Sequence, residues 1–538
     1  MSVDTNRFVD WLALELAARG TRFAFGVPGG GVSLDLLAAA QEAGIRTVIT
    51  AREDAAAMMA GVAARLAGGP GLAFSTKGPG LASATNGLAS ALLDRMPVMF
   101  AAEGFDSQEL QFLSHQVFDQ AALGRALFGE IAGGKAQVLT PDVNAVSAAL
   151  DSMTSAPMAP ALLLADPVLM TRPVAEFSAT PPSSPVFEMS ALRNAQELIA
   201  SARRPVIVAG LEATTVSAAA RVRELASVLG APVLVTYMAK GVVPDQHANF
   251  AGIFTGGAIE QRCVGAADLI ILAGLDPVEL IRKPWPYDAP VVDLCAQRHK
   301  PHYMRPDAIV EGDLSATLEA LVAGLGPADW SSSDPREFYE AFRCGMAMPE
   351  GNQLTADWVV KALGQAFEFS PRVCVDAGAH MFSACASWQA CEPLDLLISN
   401  GLASMGFALP AGIAAALHDP ERGAIAMTGD GGLLMCLGEL KTAAEMNANL
   451  TVVVFNDACL SLIDIKRKQR QMQNLGLAWS APDFVSVAEG FGFKSWRADS
   501  PAAMEAAALA AASTDGPRLI DARIDPSAYG AQLQALRG

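Results

Sequence analysis

Two aspartates that flank a single helical span carry the sharpest chemical signal in this chain. A strand, AIAMTG, runs into Gly429-Asp430-Gly431-Gly432, which reads as a turn. A helical stretch then continues to about Met446, and a second apolar strand, LTVVVFN, ends at Asn456-Asp457. Two parallel strands joined by one helix leave the sheet on the same edge, where ligands collect in open α/β folds, so Asp430 and Asp457 are expected to converge. The glycines around Asp430 let a ligand approach the backbone closely, and the following helix start offers free N–H groups to an anion. Two hard oxygens beside a phosphate suit Mg²⁺, which completes its octahedron with phosphate and water. A strand-to-helix turn with Asp430 near the cap would by itself explain the glycines. The downstream strand ending in Asn-Asp at a matching distance favours the ligand site.

A second acidic pair, Glu53-Asp54, follows the strand RTVIT and opens the small-residue stretch AAAMMAGVAARLAG. Taken alone, the pair does no more than complement the positive end of a helix. The run Gly29-Gly30-Gly31 allows a nucleotide-binding module, although a glycine run specifies no ligand. His380 and Met405 have bland readings too, as a satisfied core histidine and a core filler.

The elements that position these residues alternate in order. RTVIT, PGLAFST and PVMFAAE are short apolar runs separated by helical patterns. PVIVAGL, APVLVTY, ADLIILAG and PVVDL form a second such block, and RVCVDAG, GAIAMTG, LTVVVFND and PRLIDARI a third. This order is the signature of parallel sheets covered by helices on both faces. The expected fold is α/β, with three doubly wound parallel-sheet domains in series at 1–170, 191–328 and 353–538. A Pro/Ser-rich stretch at 171–190 reads as a linker, and a polar stretch near 326–352 as a second separator. The first residues form an apolar 3.6-residue pattern interrupted by Asp10 and Glu15, which reads as an amphipathic helix and not as a secretory signal.

Composition narrows the function classes. With 538 residues, 51% hydrophobic and 17% charged, the chain supports several buried cores. Its net charge of −18 removes the phosphate attraction that general nucleic-acid binding needs. The longest uncharged run, Leu396 to His418, contains Asn400, Pro410 and three glycines, so it reads as a buried loop and core helix and not as a membrane span. Eight cysteines without a C-x-x-C pair signal neither a disulfide framework nor zinc, and a reducing cytoplasm is the expected compartment.

Gly429-Asp430-Gly431 followed after 24 residues by Asn456-Asp457 resembles the thiamine diphosphate motif. In that family GDG and a later Asn-Asn hold the metal that binds the cofactor's diphosphate. The resemblance implies metal ligation by the side chains of Asp430 and Asp457 and by the carbonyl of Cys459, with Gly429, Gly431 and Gly432 at the diphosphate. Asp457 departs from the usual Asn but remains an oxygen ligand. The segment bearing Glu53 looks like the one that carries the family's glutamate. That glutamate hydrogen-bonds the cofactor's aminopyrimidine and promotes formation of the ylid. Phe25-Gly26-Val27-Pro28-Gly29-Gly30, Thr76-Lys77-Gly78-Pro79-Gly80 and Asn86 are similar to the pyrimidine-binding domain of the acetolactate synthase group. Gly378-Ala379-His380 and the segment from Asn400 to Phe407, with Ala403 and Met405, resemble its diphosphate-binding segments. Met405 falls where a bulky apolar residue wedges between the two cofactor rings.

The resemblance covers the whole chain in order. It implies a thiamine diphosphate and Mg²⁺ enzyme that decarboxylates a 2-oxo acid through an enamine, which is then protonated or ligated to a carbonyl acceptor. It also implies a homo-oligomer with a dimer as the minimum and a tetramer as the commoner form. Substrate candidates are Val27, Gly30, His115, Gln116, Leu460 and Ile463. The Arg of a GARFDDR-like segment and the Trp after the metal motif, usual in acetolactate synthases proper, are replaced by Gly274-Leu275-Asp276-Pro277-Val278-Glu279-Leu280 and by Leu460 to Lys466. An apolar wall with Asp464 is therefore expected to disfavour the same anionic second substrate. FAD enters by family analogy alone, since the central block has no Gly-x-Gly-x-x-Gly fingerprint. The alternatives are a flavin-dependent, pyruvate oxidase-like enzyme and a non-catalytic thiamine diphosphate-binding paralogue, against which the intact Glu53 argues.

Overall fold

The computed structural model describes residues 7–106, 108–129, 135–174, 187–280, 283–299, 303–349 and 351–538. Most of the expected linker at 171–190 lies outside the described residues. Contacts divide the chain into two compact units. One comprises 1–183, 401–423 and 436–450, and the other 184–400, 424–435 and 451–538.

The first unit is built on a six-stranded sheet of β1 (Phe23–Val27), β2 (Arg46–Ile49), β3 (Gly71–Ser75), β4 (Val98–Glu103), β5 (Gln137–Leu139) and β6 (Ala161–Ala165), in the order β2-β1-β3-β4-β6-β5. All its pairs are parallel. β3 and β4 are buried along their whole length, as strands covered on both faces must be. The helix Phe8–Ala18 buries Phe8, Val9, Leu12 and Leu16 against this domain, so the amphipathic first helix is present. The small-residue helix Glu53–Ala67 packs closely on Pro79–Leu93 and on Ala408–His418. A Cβ on Gly87 would come 2.3 Å from the carbonyl oxygen of Asp54, so alanine and glycine are what this approach requires.

The second unit holds two sheets. One comprises β7 (Pro205–Ala209), β8 (Val233–Val235), β9 (Phe250–Ile253), β10 (Leu269–Ala273), β11 (Val291–Cys295) and β12 (Ala308–Glu311), ordered β12-β11-β10-β7-β8-β9 and parallel throughout. The other comprises β13 (Arg372–Val375), β14 (Leu396–Ile398), β15 (Ala424–Gly429), β16 (Leu450–Asn456), β17 (Lys494–Ala498) and β18 (Arg518–Arg523). Its order, β14-β13-β15-β16-β18-β17, repeats that of the first sheet. The fold is thus three doubly wound parallel sheets, as the alternation of elements requires.

Two local expectations change. The polar stretch at 326–352 is not a plain separator. Asp334–Met346 forms a strongly amphipathic helix that buries Pro335, Tyr339, Phe342 and Met346, with Tyr339 edge-on to Phe250 of β9 at 4.9 Å. The span after β15 is two helices, Asp430–Cys436 and Glu439–Glu445, broken at Leu437-Gly438. Asp430 is therefore the first helical residue and not a member of a turn. The uncharged run becomes β14, a loop and the buried helix Ala408–His418, and no described helix is long and apolar enough to cross a membrane.

At the carboxyl edge of the first sheet the buried carboxylate of Glu103 accepts the N–H groups of Gly31 (3.2 Å) and Ser33 (3.0 Å) and the hydroxyl of Ser33 (2.6 Å). With the Gly29 N–H donating to the Ser33 hydroxyl at 2.8 Å, two amides of the glycine run are used within the protein, which argues against a nucleotide module there. Removing the Glu103 acceptor leaves buried donors unpaired. Glu103→Ala is expected to lower stability by about 2–3 kcal/mol in urea unfolding, and Glu103→Gln, which keeps one acceptor oxygen, by about half as much.

Candidate active site

The two acidic strand exits of the third sheet come together as expected. β15 and β16 are neighbours, so Asp430 and Asp457 emerge side by side. Asp430 is 3% exposed; its Oδ1 accepts the N–H of Gly431 at 2.9 Å, while Oδ2 has no protein partner. Asp457 is held on both oxygens, by the N–H of Cys459 (3.1 Å) and the hydroxyl of Ser461 (2.6 Å). Burial first, and then the charge of Asp457, push Asp430 up to about 6. The Gly431 N–H, and the nearby Trp479 indole and Ala458 N–H that complete no hydrogen bond to Oδ2, draw it partly back. Burial also raises Asp457. Two carboxylates that cost this much to ionise side by side, one with a free buried oxygen, form a donor set that a hard divalent cation satisfies.

The loop that carries Asp457 is held in a specific shape. Ala458 lies in the left-handed region at φ 56°. Its carbonyl accepts the N–H of Trp479 at 2.9 Å, and the N–H of Leu460 donates to Leu477 at 2.9 Å. The segment 477–479 therefore clamps Ala458-Cys459-Leu460 on both sides. On the opposite flank a Cβ at Gly432 would sit 2.3 Å from Asp376 Oδ2, which also accepts the Thr428 hydroxyl at 2.6 Å, so only glycine fits beside β13. At Gly378 an added Cβ would meet the His380 ring at 2.7 Å. His380 is 4% exposed, stacks on Phe455 at 5.0 Å and is lowered to about 4 by burial, so it is neutral at pH 7. Its Nε2 is a second buried polar atom without a protein partner. Ala379 is buried beside it, a Cβ added at Gly429 would stand 3.5 Å from the same ring, Leu460 is half-buried and Ile463 is exposed.

Asp464 is not the bare charge in an apolar wall that the sequence suggests. It pairs with Arg467 (2.7 Å) and Lys468 (2.8 Å) on the helix Ser461–Gln469, and these bonds hold its carboxyl below the usual range. Its charge is compensated within one helical turn.

The remaining candidates lie in the other unit. Glu53 is the first residue of its helix and half-buried. Arg52 pairs with Asp54 at 3.1 Å, not with Glu53. The buried carboxylate of Glu439, 388 positions away from Ala51, accepts the N–H groups of Ala51 (3.1 Å) and Arg52 (3.0 Å) and so fixes the turn into Glu53. Gly26 and Gly29 admit no Cβ, the first against Phe74 and the second against Thr76 and Glu103. Gly30 faces open space, and Val27 and Pro28 are half-buried. Asn86 exchanges hydrogen bonds with Ser404 at 3.0 and 3.2 Å. The Gly401 N–H donates to the buried Asp94 at 2.8 Å. These contacts fix a segment in which Ala403 is left-handed at φ 57° and Met405 is half-buried. Backbone strain of this kind collects at binding sites. His115 and Gln116 are exposed, and the carbonyl of Gln116 lies 2.3 Å from where a Gly78 Cβ would stand.

Sequence reasoning missed Glu439, Trp479 and Asp376. Glu439 looks like an ordinary surface helix residue in GELKTAAE, and only a contact across hundreds of positions reveals it. Asp376 did have a local signal, since it ends a strand just before Gly378.

Three family descriptions match the chain in order. They are the thiamine pyrophosphate enzyme N-terminal TPP binding domain at 6–123, the central domain at 192–321 and the C-terminal TPP binding domain at 376–522. Similar proteins include an acetolactate synthase of Bacillus subtilis, 27% identical over 98% of this chain and 94% of its own length. The large subunit of acetolactate synthase isozyme 1 of Escherichia coli is 25% identical over 95% and 92%. A probable 2-ketoarginine decarboxylase of Pseudomonas aeruginosa is 28% identical over 89% and 87%.

Because Asp430 is raised from 3.8 to about 6 on folding, the stability it contributes in metal-free protein is complete below about pH 4 and is lost as pH rises through 6. In chelator at pH 7, Asp430→Asn is expected to be more stable than the parent by roughly 1–2 kcal/mol, a gap that closes towards pH 4 in urea titrations. An unchanged pH slope in the variant would remove Asp430 as its source.

Proposed function

Since the chain belongs to the thiamine pyrophosphate enzyme family, with acetolactate synthase-like relatives, we propose that it decarboxylates a 2-oxo acid using thiamine diphosphate and Mg²⁺. The resulting carbon unit is then released as an aldehyde or ligated to a carbonyl acceptor. The observation that carries this reading is the buried Asp430–Asp457 pair, with Asp430 Oδ2 lacking any protein partner. Bound thiamine diphosphate supplies the electron sink for the loss of carbon dioxide.

The chain's own residues divide the work. Asp430, Asp457 and the carbonyl of Cys459 hold Mg²⁺, and binding the ion removes the cost of ionising two adjacent carboxylates. Gly429, Gly431, Gly432, Gly378 and Ala379 let the backbone approach the diphosphate. His380, neutral and with a free Nε2, adds a polar contact without adding charge. Gly26, Pro28, Gly29 and Asn86 line the pyrimidine side, and Ala403 and Met405 present the wedge between the rings. Glu53 holds and moves the proton at the ring nitrogen of the aminopyrimidine, and Glu439 fixes the turn that aims it. Val27, Gly30, His115, Gln116, Leu460 and Ile463 remain the residues proposed to meet substrate. The active form is a homo-oligomer, at least a dimer, in which Glu53 of one subunit serves the metal pair of another; a tetramer is the further expectation. A cytoplasmic location completes the reading.

Carbon dioxide release from a panel of 2-oxo acids, in protein loaded with thiamine diphosphate and Mg²⁺, tests the function directly; no release from any member would count against it. Glu53→Gln is expected to keep cofactor bound while turnover falls by about 10²–10⁴-fold. Asp430→Ala is expected to abolish Mg²⁺-dependent cofactor binding in calorimetry, and full occupancy of that variant would overturn the metal assignment.

A further inference from the structure

The order β12-β11-β10-β7-β8-β9 reverses its winding between β7 and β10. Open α/β sheets take dinucleotides outside the carboxyl ends of the strands at such a point, with the pyrophosphate on backbone N–H groups. The family analogy that raised FAD therefore leads to one crevice, and in this chain protein groups fill it.

Glu279, 4% exposed, stands between the two strand exits. Its Oε2 accepts the N–H of Leu211, just past β7, at 2.8 Å and the N–H of Asp276, just past β10, at 3.1 Å. Its Oε1 accepts the hydroxyl of Thr236 at the end of β8. A Cβ on Gly210 would lie 2.4 Å from Leu275 Cα and 2.7 Å from Glu279 Oε2. One on Gly274 would lie 2.7 Å from Leu314 Cδ2 and 2.8 Å from Glu212 Cβ. The glycines at both strand exits thus serve close packing of the chain on itself. Beyond them Glu212 accepts the Ala296 N–H at 2.8 Å, and Thr215 caps the helix Val216–Leu229 at 3.2 Å. The C-terminal helix Tyr529–Arg537 covers a neighbouring loop. Its Leu536 carbonyl accepts the Ala258 N–H at 2.8 Å, and Lys283 donates to the Arg537 carbonyl at 2.5 Å. Between that helix and the sheet a cavity of about 10 Å³ remains, lined by Tyr237, Thr255, Gly256 and Lys283, with room for a single water.

We propose that the central sheet is self-liganded: Glu279 occupies the position that a dinucleotide pyrophosphate takes in this topology, and the chain binds neither FAD nor another dinucleotide. The carbonyl of Glu279 also accepts the Asn400 side-chain N–H at 2.6 Å, so the filled crevice anchors the loop that follows β14. Among the described residues, a flavin oxidase reaction finds no cofactor seat at this strand reversal.

The test uses the full chain, incubated with millimolar FAD or ADP and read by flavin retained after desalting and by shift in Tm. The parent and Glu279→Gln, whose amide oxygen still fills the position, are expected to retain no flavin and show no shift. Glu279→Ala uncovers two N–H groups and is expected to gain an ADP-dependent rise in Tm. Stoichiometric FAD, or a nucleotide-dependent shift, in the parent overturns the proposal. A folded Ala variant that responds to ADP no more than the parent overturns the role of Glu279. If the Ala variant does not fold, the parent and Gln proteins decide by the same readouts. None of these outcomes depends on thiamine diphosphate binding or carbon dioxide release, so this inference and the proposed function fail separately.

Discussion

Backbone N–H groups at the carboxyl edge of a doubly wound parallel sheet are the constraint on which this architecture depends. Where neighbouring strands turn away in opposite directions, several amides point into one crevice, and each needs an acceptor once it is removed from water. The chain meets this need repeatedly with buried carboxylates. Glu103 takes the amides of Gly31 and Ser33 beside the first sheet, and Glu279 those of Leu211 and Asp276 in the second. Glu439 does the same for Ala51 and Arg52 at the start of the helix that carries Glu53. In each case the carboxyl group comes from far along the sequence or from the next strand exit, so satisfying the amides also ties elements together.

The third sheet uses acids differently. Asp457 accepts bonds from its own loop, but Asp430 leaves one buried oxygen without a protein hydrogen bond. Glu103 and Glu279, by contrast, have protein donors on both oxygens. The distinction lies in partners and not in residue type, because all three carboxylates are almost fully buried.

Charge placement also bears on selectivity. Asp464 differs from the Trp and Arg pattern of acetolactate synthases proper, yet its pairing with Arg467 and Lys468 neutralises it. The helix Ser461–Gln469 exposes Ile463, and its basic residues Lys466, Arg467 and Lys468 outnumber Asp464.

The amino-acid sequence by itself determined the alternation of strands and helices, the three parallel sheets and the convergence of Asp430 with Asp457. Each of these follows from short-range periodicity and from the rule that a β-α-β unit returns to the same edge. The three-residue strands β5 and β14 were not read, and the buried face of Asp334–Met346 was masked by its polar composition. Only the tertiary structure decided which acids are structural and which are free to act. Glu439, Glu103 and Glu279 have no local signature, because the amides they satisfy belong to other elements. The same holds for close approach: nothing in the sequence shows that a Cβ on Gly29 would meet Glu103, or one on Gly210 would meet Glu279. A residue type and its spacing specify what chemistry is available, whereas burial and the identity of the partner specify whether it is used.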